Sequence, residues 1–135
     1  MNYKLTSLFF LITLFFLYAC EEDYYSYEDI RDGVTGEWLA NENSTIFGNT
    51  SYSISISKVP NDSSAIWVEN FYDLEGNVRV TLNRRNLTIP QQVVAGHTIS
   101  GYGLITFDFK RVEFSYSVKW STGEEDEVYT VCTRF

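Results

Sequence analysis

The chain has 135 residues, a net charge of −8, one histidine, two cysteines and an aromatic share of 17%. That length supports one modest hydrophobic core. The acidic balance repels phosphate backbones, and Arg84, Arg85 and Arg111 are too few to form a basic stripe, so nucleic acid is not an expected partner.

Residues 1–19 have the three-part layout of a secretory signal. Lys4 supplies a positive head, Leu5 to Leu17 an apolar run that predicts a helix, and Glu21-Glu22-Asp23 closes it with charge. The run falls short of the roughly twenty apolar residues a transmembrane helix needs; the other reading is an uncleaved signal anchor. Leu17-Tyr18-Ala19-Cys20 resembles the lipobox of bacterial lipoproteins, matching it at Leu17, Ala19 and Cys20 and departing at Tyr18, where a small residue is usual. The resemblance implies cleavage before Cys20, acylation of its thiol, and attachment to a membrane through the acyl chains.

Residues 20–33 carry Glu21, Glu22, Asp23, Glu28, Asp29 and Asp32 among tyrosines, with no apolar periodicity. They predict a flexible acidic tether. Acids directly behind a lipidated cysteine also resemble the surface-export signal of lipoproteins in one Gram-negative phylum. That implies the outer membrane, with the domain surface-exposed; a tether facing the periplasm is the alternative.

From Val34 to Phe135 the chain reads as strands. Tyr52, Ile54 and Ile56 alternate with serines, Val78, Val80 and Leu82 with Arg79 and Thr81, and Val112 to Trp120 repeats the pattern, each predicting a strand with one wet face. Further strands are expected over 35–41, 65–72, 85–89, 98–106 and 127–134, about eight in all. Asp73 to Asn77, Asn83-Arg84, Phe107 to Lys110 and Ser121 to Asp126 supply polar turns between neighbours. Pro60 and Pro90 are expected at strand exits. The expected fold is all-β, an up-and-down antiparallel barrel that hides its edges by closure, with an open β-sandwich as the alternative.

Gly36-Glu37-Trp38 resembles the Gly-x-Trp signature opening the first strand of lipocalins, whose last strand supplies an arginine over that tryptophan; Arg134 stands where this partner is expected. The family's second motif has no counterpart beyond a loose echo at Asn70-Phe71-Tyr72-Asp73. Together with the lipobox, the mature chain resembles small lipocalin-like lipoproteins of Gram-negative envelopes, with Trp38 and Arg134 as the pair closing one barrel end.

No catalytic constellation is visible, and neither a metal nor a cofactor is expected. His97 has no second histidine beside it. Asp73 and Glu75 fall in a turn, and the acids at 124–127 lack the spacing of a calcium loop. Once Cys20 is acylated, Cys132 has no mate and reads as a small core residue. Two non-enzymatic readings stand. The barrel is a cup for a small apolar or lipid-like ligand, lined by Tyr52, Ile54, Phe114 and Tyr116. Otherwise it has a filled core and meets an envelope protein or glycan through its surface, where Trp67, Tyr102 or Trp120 would matter. Eight strands leave an interior that side chains can fill or that can hold one small ligand.

Overall fold

A computed structural model describes residues 27–135. Cys20, the expected signal segment and the expected tether up to residue 26 lie outside the described residues.

Eight antiparallel strands form one closed barrel: β1 (Gly36–Ser44), β2 (Gly48–Lys58), β3 (Ala65–Glu69), β4 (Asn77–Asn83), β5 (Asn86–Val94), β6 (His97–Ile105), β7 (Arg111–Lys119) and β8 (Glu125–Arg134). Each strand pairs with the next, and β1 pairs with β8, so no edge is left open. The fold is the expected up-and-down barrel and not the alternative open sandwich. Among the described residues no helix is long and apolar enough to cross a membrane.

Alternation sets the inside from the outside. Along β7, Val112, Phe114, Tyr116 and Val118 are buried while Glu113, Ser115 and Ser117 are not. The same period places Trp38, Ala40, Glu42 and Ser44 inward on β1. Two glycines on β6 make room for the large rings of β7. Gly101 pairs with Tyr116 and Gly103 with Phe114, and a Cβ added at Gly101 would stand 2.6 Å from the Tyr116 Cα. The aromatic side chains cover the space the glycines leave.

The two ends of the barrel differ. At one end, here the base, lie the amino-terminal segment, the β2–β3, β4–β5 and β6–β7 connections and the last residues of β8. The four other connections form the mouth. One of them, Ala95-Gly96, has φ of 47° and 79° at its two central residues, the geometry a tight hairpin requires.

Several elements depart from the sequence-based expectation. The folded unit begins before Val34. Ile30–Gly33 is a 3₁₀ turn capped by the Asp29 side chain, and Arg31 is buried, its Nη1 donating to the carbonyls of Asp62 (2.7 Å) and Ala65 (3.2 Å). An arginine with five donors meets the carbonyls of the β2–β3 connection, so the described end of the expected tether is fixed to the base. The third strand stops at Glu69, not at Tyr72, because Phe71–Asp73 forms a second 3₁₀ turn that drives Phe71 into the barrel. Pro90 lies inside β5, at the register shift between Ile89 and Gln92, where its missing N–H costs no ladder bond.

Candidate functional site

At the base, Trp38 is fully buried and its indole Nε1 donates to the Val34 carbonyl at 2.8 Å. The Arg134 guanidinium lies over the indole, 4.3 Å from the ring centroid. Its Nη2 donates to the Gly33 carbonyl at 2.5 Å and its Nη1 to that of Thr35 at 3.3 Å. One arginine on the last strand thus holds the entering segment over the first strand's tryptophan.

Tyr52, Ile54, Phe114 and Tyr116 all face inward. Ile54, Phe114 and Tyr116 are 1%, 0% and 3% exposed, and Tyr52 is half-buried. They do not line an open cup. Phe71 enters from the mouth and packs edge-on against Phe114, 5.0 Å between ring centroids, and at a 35° tilt against Tyr116, 4.5 Å between centroids. Tyr72 and Trp120 continue this aromatic column towards the rim, where His97 meets Trp120 edge-on at 5.5 Å.

Two inward carboxylates lie within this aromatic end. Glu42 accepts from Tyr52 Oη at 2.5 Å and from Tyr116 Oη at 2.7 Å. Asp126 is fully buried. It accepts from Ser44 Oγ (2.5 Å), Tyr72 Oη (2.7 Å), Thr45 Oγ1 (2.8 Å) and the Ile46 amide (3.2 Å). Among the described residues neither acid has a salt-bridge partner; hydroxyls and one amide satisfy them instead. Burial raises the Asp126 pKa, but these four donors outweigh it and hold the group below the ordinary value of 3.8. Burial and the neighbouring carboxylates push the phenols of Tyr52, Tyr72 and Tyr116 upward, so they remain donors at any ordinary pH. The network ties the plug to the wall: Tyr72 holds Asp126 through its hydroxyl, and its amide donates to Tyr52 Oη at 2.9 Å.

Among the described residues, no group of three or more His, Cys, Asp or Glu is gathered as metal ligands would be. Cys132 is buried, and burial together with the Glu42 charge pushes its thiol up to about 12.

Outside, a groove of about 430 Å³ runs over β6, β7 and β8. Tyr102, 68% exposed, and Tyr129, 46% exposed, stand on either side of Ser115 in one cross-strand row. With neighbouring strands about 4.8 Å apart, the two tyrosine backbones are roughly 10 Å from each other. Trp67 and Trp120, the other expected surface aromatics, are half-buried. A second groove, of about 1030 Å³, lies at the base between Tyr27, Ile30, Arg84, Arg85, Phe107 and Phe109.

Glu42, Asp126 and the Phe71-Tyr72 plug were not singled out from the sequence. A period-two signal existed for both acids: Trp38-x-Ala40-x-Glu42 and Asp126-x-Val128-x-Thr130-x-Cys132 place them on the inward face. The plug has no such signal, since it departs from strand geometry.

No family model and no curated protein matches the chain. Among solved structures it is similar to a redesigned beta barrel, with a TM-score of 0.58 and 11% identity over 79% of this chain and 96% of that one. It is also similar to a protein of unknown function from Bacteroides ovatus, with a TM-score of 0.50 and 10% identity over 73% of this chain. The chain spans 41% of that second protein. At these identities the likeness is one of fold.

Proposed function

We propose that this chain is a Gram-negative envelope lipoprotein, anchored to the outer membrane through Cys20, whose lipocalin-like barrel is a filled, non-enzymatic interaction module. The observation that carries the filled-core reading is the seating of Phe71 on Phe114 and Tyr116, three rings each no more than 3% exposed. With the interior occupied, recognition falls to the outer surface. Of an envelope protein and a glycan, the row Tyr102, Ser115, Tyr129 favours a glycan: two exposed rings flank a hydroxyl floor, offering apolar faces and polar edges to a sugar. The anchor reading rests on Leu17, Ala19 and Cys20, and the lipocalin-like reading on Arg134 over Trp38. Replacing Cys20 with Ala and fractionating cells tests the anchor. The variant should leave the membrane fraction; tight retention supports an uncleaved signal anchor instead.

A second reading, a cup for a small apolar or lipid-like ligand, is favoured by the plug's backbone. Asn70, Tyr72 and Asp73 all have φ between 53° and 62°, a conformation non-glycine residues adopt at a cost of about 1–3 kcal/mol each. A ligand that displaced Phe71 would recover that strain and meet Ile54, Phe114 and Tyr116.

A further inference from the structure

We infer that the base of the barrel is a docking surface for anionic lipid headgroups, so that the domain sits base-down on the membrane that carries its anchor; this orientation rests on the anchor proposed above. The cations of this acidic chain are segregated, while its acids lie at both ends. Every described lysine and arginine except Arg79 and Lys119 lies at the base, whereas Glu69, Asp73, Glu75, Glu124 and Glu125 surround the mouth. The acids of the base are largely engaged. Asp29 pairs with Arg31 and Lys58, Asp32 with Lys58, and Asp62 with Arg79, while Asp108 accepts from Thr106 Oγ1 and the Lys110 amide within its own turn. Glu28, which lines the base groove, and Glu37, exposed at the start of β1, are left without a charge partner among the described residues.

Arg84, Arg85 and Lys110 are in none of the described salt bridges. Arg84 and Lys110 are exposed at the tips of two adjacent base connections. Arg85 lies 3.4 Å above the ring of Phe107, which is itself 69% exposed. Basic side chains beside an exposed phenyl ring suit a membrane interface, where cations meet phosphates and the ring inserts at the boundary between headgroups and acyl chains. Chain geometry places them there. Tyr27 lines the base groove beside Arg84 and Arg85, and the seven residue steps from Cys20 to Tyr27 span at most roughly 25 Å. An anchor at Cys20 therefore holds this end close to the bilayer, where even weak attraction acts at a high effective concentration. The acidic mouth would point away.

The test uses the full chain, acylated in a Gram-negative host and reconstituted into phosphatidylcholine vesicles with or without phosphatidylglycerol. Amide exchange is read at residues 84–86 and 106–110, with 121–124 at the mouth as reference. Docking predicts severalfold slower exchange at the base in phosphatidylglycerol vesicles only, lost at high salt and in an Arg84→Glu/Lys110→Glu variant, with the mouth unchanged. Both substituted side chains are exposed and make none of the described hydrogen bonds, so the variant should fold. Equal protection in both vesicle types, or none, overturns the proposal; protection without vesicles assigns the base to the chain's own acids at 21–23 and overturns it too. The anchor is read separately, from the acyl mass at Cys20. Should that mass be missing, the anchor reading fails, and docking stands or falls on exchange with phosphatidylglycerol vesicles added to the unacylated chain.

Discussion

The hydroxyl of Tyr72 donates to the buried carboxylate of Asp126 at 2.7 Å, joining the turn that plugs the barrel mouth to the first inward residue of β8. The plug is therefore held by a charge-assisted hydrogen bond as well as by packing, and its stability is linked to the ionisation of one acid.

The sign of that linkage is set by the folded group. Asp126 is held below 3.8 in the folded chain, so its contribution is fully present above that value and is lost as pH falls through the folded pKa. Asp29 is displaced downward as well, chiefly by the Arg31 guanidinium, but it is open to solvent and adds less. Urea unfolding between pH 7 and pH 2 should show stability falling below pH 4, and Asp126→Asn should flatten that fall while costing about 1–3 kcal/mol at neutral pH. An unchanged acid profile in the variant would assign the acid sensitivity elsewhere.

Phe71 fills the space above Phe114 and Tyr116, so Phe71→Ala should create an apolar cavity and cost about 3–5 kcal/mol. The variant should bind an environment-sensitive apolar dye under native conditions where the parent does not. Equal dye binding by the two chains would mean the parent's interior is already open.

Arg134→Ala removes the cation over Trp38 and both bonds to the entering segment. The expected loss is about 1–3 kcal/mol, with faster amide exchange at residues 30–35. Arg134→Lys should recover only part of it, because a point charge cannot stack on the indole and reach two carbonyls together.

These interactions were unequally legible in the sequence. Period-two alternation with turn residues between strands is enough for eight strands and closure, whereas Trp38 with Arg134 is legible as a pair only through the resemblance of Gly36-Glu37-Trp38 to the lipocalin signature. In the sequence, Phe71 and Tyr72 look like the end of a strand. Nothing local to Asn70-Phe71-Tyr72-Asp73 reveals the left-handed backbone, which is maintained by Tyr52 and Asp126 from distant parts of the chain. Arg31 looks like tether for the same reason: its partners are carbonyls some thirty residues away. Alternation is enough to turn Tyr52, Ile54, Phe114 and Tyr116 inward, but whether that face is covered depends on the plug.

Gly101 faces Tyr116 across the β6–β7 pair with no space for a methyl group. Gly101→Ala should destabilise the barrel by about 1–3 kcal/mol through overpacking, measured as a lower urea midpoint with an unchanged slope. Cys132, by contrast, should stay unreactive towards a thiol reagent in the native chain and react fully in urea, since its thiol is buried and its pKa is raised to about 12.

The central claim, a barrel filled by its own side chains, is tested most directly by native mass spectrometry of the protein extracted gently from its host's membranes. The account predicts the mass of the polypeptide with its acyl groups and nothing further. A stoichiometric additional small molecule, released only on unfolding, would contradict it and make the barrel a cup with a displaceable plug.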